Sequence, residues 1–422
     1  MTKTEWDIFL SYTRRIRRIR KYGLDKHQLG EKFVSILSNP PTSATVFPHL
    51  RALYFVYTET AVPLLHLPLP SLVSLDIQFP DASSLQNSVK SLPNFPPNIT
   101  SLSIFVYHYA ITTIEPNYFR HWQNLCYVRC LNVTLDVDNL ADLSRMPALA
   151  KLDIMLSPTM PTSDSPLCFS TLHTLNLDCE SWHPMSWLLS RTRMPAIKHF
   201  FATVGNNPSR QELAAFFAGV LTASAGGTLG TLGLPLWQRD PNPLVVRSRA
   251  PLLCLEDLRP CMALSNLRKL YIDIEWNVGL TDADLLTLAA AWPRLEILHI
   301  NLSWGWNTLG GITPNGLVQL LHRCRSLYDV SLALDTRKNT EFPPSGSLAT
   351  LASRPLPVFH LNVIDSILED DSVPAIVAFL ADIPCSSLFL PAWSSVKLNI
   401  RPDFEVYFNR WFDVLEQVRL RS

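Results

Sequence analysis

A phrase of the form Leu-x-x-Leu-x-Leu, with other apolar residues admitted, returns thirteen times along the chain. It opens at Leu50/Leu53/Phe55, Leu72/Leu75/Ile77, Ile99/Leu102/Ile104, Leu125/Val128/Cys130, Leu149/Leu152/Ile154 and Leu172/Leu175/Leu177. It continues at Ile197/Phe200/Ala202, Leu229/Leu232/Leu234, Leu267/Leu270/Ile272, Leu295/Leu298/Ile300 and Leu327/Val330/Leu332. Two degraded copies follow, Val358/Leu361/Val363 and Cys385/Leu388/Leu390, and successive copies lie 22 to 38 residues apart. A unit of that length holds one short strand and a return segment. The fourth and sixth positions alternate with period two, so they point to one side of a strand and their neighbours to the other. Strands joined by such returns run parallel. A single unit cannot bury its apolar edge, so the units must stack.

The fold expected is therefore α/β: a leucine-rich-repeat solenoid, or horseshoe, with a parallel concave sheet and mixed helical and irregular outer returns. Its expected divisions are a helical N-terminal cap over 1–45, about 13 units over 46–400, and a C-terminal capping helix over 401–422. Thr281 to Trp292 and Thr313 to Cys324 carry N-caps and a helical apolar register, and Ser209 to Leu221 is a third helical segment. Residues 56–70 and 156–168, rich in Pro, Ser and Thr, are expected to be irregular, and 237–263 to be a surface loop. At the ends, Trp6, Phe9, Tyr12, Ile16 and Ile19 form one stripe of a helix from Glu5 to Lys21. Phe404, Phe408, Trp411, Phe412, Leu415 and Val418 form another from Asp403 to Arg419.

Composition narrows the functional classes. Among 422 residues, 17% are charged and 47% hydrophobic, which excludes global disorder. The 36 basic residues balance 36 acidic ones, so there is no overall field for nucleic acid or an anionic membrane. The balance conceals a basic run, Arg14, Arg15, Arg17, Arg18, Arg20 and Lys21, which reads either as a nuclear-import signal or acidic-partner patch or, the favoured reading, as the solvated face of the N-terminal helix. No apolar stretch reaches the roughly 20 residues of a membrane span, and no signal peptide is visible. An intracellular protein of cytoplasm or nucleus is expected. The eight cysteines lack Cys-x-x-Cys pairs, as free thiols do in a reducing compartment. Asn98, Asn132 and Asn301 open chance glycosylation patterns.

Binding chemistry falls on the third, fifth and seventh positions, whose side chains line the open strand face. These are Tyr54, Asp76, Phe105, Tyr127, Arg129, Lys151, Asp153, Asn176, Asp178, His199, Phe201, Lys269, Tyr271, Asp273, His299, Asn301, His360 and Phe389. Aromatic residues mixed with Arg and Asp suit a protein interface. No catalytic residue, metal or cofactor is expected. His199 and His299 lie about 14 Å apart at the strand spacing, too far to share a zinc. Asp153 and Asp178 stand about 8 Å apart, within the range of an acid–base pair, but as exposed charges. Gly226, Gly227, Gly230 and Gly233 do not form Gly-x-Gly-x-x-Gly.

Three stretches carry a resemblance. They are Glu-Trp-Asp-Ile-Phe-Leu-Ser-Tyr-Thr-Arg-Arg-Ile-Arg-Arg-Ile at 5–19, Phe-Pro-His-Leu-Arg-Ala-Leu at 47–53, and Leu-Thr-Asp-Ala-Asp-Leu-Leu-Thr-Leu-Ala-Ala-Ala-Trp-Pro-Arg-Leu-Glu-Ile-Leu at 280–298 with Thr-Pro-Asn-Gly-Leu-Val-Gln-Leu-Leu-His-Arg-Cys-Arg-Ser-Leu at 313–327. Together they resemble the F-box-type leucine-rich-repeat proteins of mushroom-forming (basidiomycete) fungi. The resemblance implies a non-enzymatic scaffold that recognises a protein as the substrate-binding part of an SCF-type ubiquitin ligase. In that family an F-box precedes the Trp-x-x-Phe helix and docks on a Skp-family adaptor. Here Met1 falls directly before that helix, so an adaptor is expected as a partner only if an F-box precedes Met1. The alternative is a stand-alone leucine-rich-repeat scaffold unrelated to ubiquitination.

Overall fold

The computed structural model describes residues 2–20, 45–56, 67–89, 96–107, 112–114, 118–159, 165–224, 227–235, 250–308, 311–337, 342–344, 347–348, 358–393 and 403–420. Two compact units divide the chain. The first comprises Met1–Cys179 with His183–Ile197, the second Glu180–Trp182 with Lys198–Ser422.

In the first unit seven strands pair in parallel in chain order. They are β1 (Arg18–Arg20), β2 (Ala52–Val56), β3 (Ser74–Phe79), β4 (Ser101–Val106), β5 (Tyr127–Leu135), β6 (Lys151–Leu156) and β7 (Thr174–Cys179). In the second unit β8 (His199–Val204), β9 (Thr231–Pro235), β10 (Lys269–Asp273), β11 (Ile297–Ile300), β12 (Asp329–Ser331), β13 (Phe359–Asn362) and β14 (Leu388–Phe389) do the same. Each of the thirteen repeat phrases carries one of these strands, and β1 adds a strand ahead of them. The chain is an α/β leucine-rich-repeat solenoid.

Period two fixes which side is buried. In β3 and β4 every second residue is buried, so Leu75, Ile77, Leu102 and Ile104 enter the core while Asp76 and Ser103 stay half-exposed. A second device fixes the register between repeats. The carbonyl of the residue ahead of a strand accepts two backbone N–H groups from the next repeat. Arg17 O takes Arg51 N at 2.8 Å and Ala52 N at 3.2 Å; Lys198 O takes Gly230 N and Thr231 N, both at 2.9 Å. Gly230 O, Arg268 O and Glu296 O repeat the pattern, as do Arg51 O, Val73 O, Thr100 O, Cys126 O and Ala150 O. At these ten junctions each repeat is thereby locked to its neighbour before its strand begins.

Among the returns, the helix Asp282–Ala291 is capped reciprocally: Glu-like Asp284 accepts from Thr281 N at 2.9 Å and its own N–H donates to Thr281 Oγ1 at 3.3 Å. Asp282 then reaches the next repeat, accepting from Thr313 N at 2.8 Å and Thr313 Oγ1 at 2.6 Å ahead of the helix Pro314–Arg323. Gly316 makes room for it, since a Cβ there would sit 1.9 Å from an Asp282 oxygen. The helix Arg210–Ala223 runs two residues past the expected segment. Four helices lie where no helix was expected, Ala82–Val89, Val137–Ser144, Trp182–Arg191 and Val373–Ala381. Within 237–263 the Arg-Asp-Pro-Asn-Pro stretch lies outside the described residues. Leu252–Leu253 is a short strand paired with Asn277–Val278, and Leu255–Ala263 forms helical turns, so that part is no loop.

Both end helices differ from the expected stripes. The first stops at Thr13 and buries Trp6, Leu10 and Thr13, leaving Tyr12 64% exposed. The basic run therefore does not lie on one helix face. Arg18 to Arg20 instead form β1, because Arg17 O supplies the paired carbonyl that starts β2. Lys21 lies outside the described residues. The last helix, Phe404–Arg419, buries Trp411, Val414 and Val418, while Phe408 and Phe412 face outward. Trp411 and Trp393 both donate their indole N–H to Ser366 O, and that shared acceptor sets the face turned inward.

Candidate functional site

The strand register sets the expected site residues into cross-strand rows. In the first unit Tyr54, Asp76, Ser103, Arg129, Asp153 and Asn176 stand opposite one another in order. Arg129 pairs with Asp153 at 3.3 Å. Burial pushes the Asp76 carboxyl up, against a Ser103 hydrogen bond and the Arg129 charge, and its Oδ1 has no hydrogen-bond partner. In the neighbouring row Lys151 Nζ lies 4.9 Å over the Tyr127 ring. Burial raises the Tyr127 phenol as well. Gln78, outside the expected set, bridges the row's end: it donates to the Tyr54 hydroxyl and accepts from the Tyr107 hydroxyl. Phe105 packs edge-on against Tyr107 at 4.9 Å. Gln78 is two residues after Asp76 on the same face, so the period-two rule could have found it.

In the second unit one row runs Phe201, Gly233, Tyr271, His299, Ser331 and Asn362. Phe201 and Tyr271 are two strands apart, yet their ring centroids are 5.8 Å apart. Gly233 lies between them and permits this, because a Cβ there would stand 2.2 Å from the Phe201 ring. Tyr271 meets His299 edge-on at 5.1 Å, and His299 Nε2 lies 2.9 Å from Asp329 Oδ1. Burial, then the Asp329 charge, raises the Tyr271 phenol. Four side chains thus form one contiguous run over five strands. Around it, His199 Nδ1 meets Thr231 Oγ1 at 3.0 Å, Asp273 accepts from Ser303 N at 3.0 Å, and His360 packs on the exposed Phe389 at 5.2 Å.

One expectation fails. Asn301 is not on the open face but fully buried, with φ +54°. It accepts from Ile274 N at 3.0 Å and donates to Trp276 O at 2.7 Å, so from the end of β11 it satisfies the backbone where the chain leaves β10. Asp153 and Asp178 lie on adjacent strands, two residues out of register with each other. Asp153 stands opposite Asn176 and is engaged by Arg129, whereas Asp178 stands opposite Met155.

Each unit also carries an open groove along the residues that precede its strands. In the first unit one of about 740 Å³ is lined by Arg17, Arg18, Arg20 and Arg51. In the second, one of about 760 Å³ is lined by Lys198, Gly230, Asn266, Arg268, Lys269, Arg294 and Glu296, among others. Among the described residues, no three His, Cys, Asp or Glu side chains converge to hold a metal. Nor is any helix there long and apolar enough to cross a membrane.

No protein-family model and no curated protein sequence matches this chain. Among solved structures, the chain is similar to an internalin of Listeria monocytogenes, at 12% identity and a TM-score of 0.37, over 87% of this chain and 91% of that one. It is also similar to TLR13 in its complex with ssRNA13, at 14% identity and a TM-score of 0.43, over 83% of this chain. The match spans 52% of the TLR13 chain, about half its length.

Proposed function

We propose that this chain is a non-enzymatic scaffold that recognises another protein on its open strand face, chiefly on the second unit. The observation that carries this is the run Phe201, Tyr271, His299 and Asp329. It is half-exposed, held by ring contacts and a hydrogen bond, and mounted on a backbone locked repeat by repeat. Partly exposed aromatics that are already ordered lose little conformational entropy on binding, as interface hot spots do.

The resemblance extends the reading to the substrate-receptor half of an F-box ubiquitin ligase acting in cytoplasm or nucleus. A stand-alone scaffold is the alternative. Affinity purification of the wild type beside a Phe201→Ala, Tyr271→Ala variant tests the scaffold itself. A protein captured by the wild type and lost from the variant is expected, and a face whose truncation changes nothing contradicts the reading. Genomic sequence upstream of Met1 separates the two finer versions. An in-frame Leu-Pro-x-Glu-containing helix there supports the ligase, and its absence supports the stand-alone scaffold.

A further inference from the structure

We propose that the groove over Gly230 binds a carboxylate-rich segment of the protein partner; this rests on the protein-recognition reading above and gives the partner a chemistry. Lys198, Lys269 and Arg294 enter the groove with no acidic partner among the described residues, and the one acid in its lining, Glu296, is taken by Arg268. The groove is therefore cationic in a chain whose formal net charge is zero. Its floor is Gly230, which stands between the Lys198 and Arg268 backbones and adds no side chain to fill the space.

The spacing selects the anion. Lys198, just ahead of β8, and Lys269, the first residue of β10, lie two strand spacings apart, about 10 Å, with Lys198 in line with Arg268 and Lys269 one residue further on. Backbone N–H groups that would cradle a single phosphate are spent: those of Gly230, Thr231, Arg268, Lys269, Glu296 and Ile297 all donate to carbonyls of the repeat before. Dispersed cations over a floor without free donors suit several carboxylates strung along an extended chain, not one doubly charged group. His199, next to Lys198, carries the groove onto β8, two residues from Phe201, so one partner can span the groove and the aromatic run.

The test is fluorescence anisotropy with a labelled peptide of alternating Glu and Ser, its Gln counterpart, a phosphoserine peptide and a single-stranded RNA of equal charge. The Glu peptide should bind about tenfold or more tighter than the Gln peptide and weaken with added salt. The paired substitution Lys198→Glu, Lys269→Glu should lose that binding. Gly230→Glu should lose it too without unfolding the protein, since a Cβ there meets nothing closer than 3.8 Å and the backbone is outside the left-handed region. Reversal of the other groove, Arg17→Glu with Arg51→Glu, should leave it unchanged. Equal binding of the Gln peptide, equal loss on reversing either groove, or tighter binding of the phosphopeptide or RNA would overturn the proposal. If the Glu peptide fails while Phe201→Ala, Tyr271→Ala still releases a partner, only the groove assignment falls. If the peptide binds and that variant releases nothing, the face assignment falls.

Discussion

The two units share a core pattern and differ on the open face. In the first, the central row mixes charged and neutral hydrogen-bonding groups, Asp76, Ser103, Arg129, Asp153 and Asn176, and pairs its adjacent opposite charges, Arg129 and Asp153. In the second, a glycine lets two rings meet across a strand, and the side-chain run continues through His299 to Asp329. The leucine positions that stack the repeats leave the alternate positions unconstrained, so one architecture carries a central polar row in one unit and an aromatic one in the other.

Equal cores predict equal losses. Leu102→Ala in the first unit and Leu298→Ala in the second both truncate fully buried side chains, and each should cost about 3 kcal/mol in urea denaturation. A much smaller loss in one unit would break the comparison. The next largest effect belongs to the second unit's returns. Asp282→Ala removes both acceptors of Thr313 and should cost about 2 kcal/mol, read the same way.

The faces should diverge. Arg129→Met removes an ion pair whose arginine is 44% exposed, and should change stability by less than about 1 kcal/mol, less still in high salt. The smallest effect is a gain. Burial raises the folded-state pKa of Asp76, so the native state holds more protons than the unfolded chain across that window. Stability therefore falls as pH rises from the ordinary carboxylate value through the raised one. Asp76→Asn should abolish that fall, raising the melting temperature at neutral pH and leaving it unchanged in acid.

The repeat phrase was enough to locate thirteen of the fourteen strands, β2 to β14, because period-two burial needs only local sequence. The helices after Thr281 and Thr313 were equally legible through their caps. β1 was not, since Arg18, Ile19 and Arg20 contribute one apolar residue and the pairing comes from Arg17 O. The site divides similarly. Tyr271, His299 and Phe201 could be assigned to the open face, but their contacts depend on Gly233, 32 residues beyond Phe201 in sequence and opposite it only in register. The groove gathers side chains from four successive repeats, none of which forms a motif alone. Asn301 was misplaced because alternation ends where the chain turns out of β11 at positive φ.

The central proposal is that partner recognition rests chiefly on the second unit's face. Its most direct test is quantitative affinity purification of three proteins that melt alike: the wild type, Arg129→Ala with Asp153→Ala, and Phe201→Ala with Tyr271→Ala. The account predicts that the wild type and the first variant retain the same partner at the same yield and the second loses it. Retention by all three, or loss only from the first variant, would contradict it.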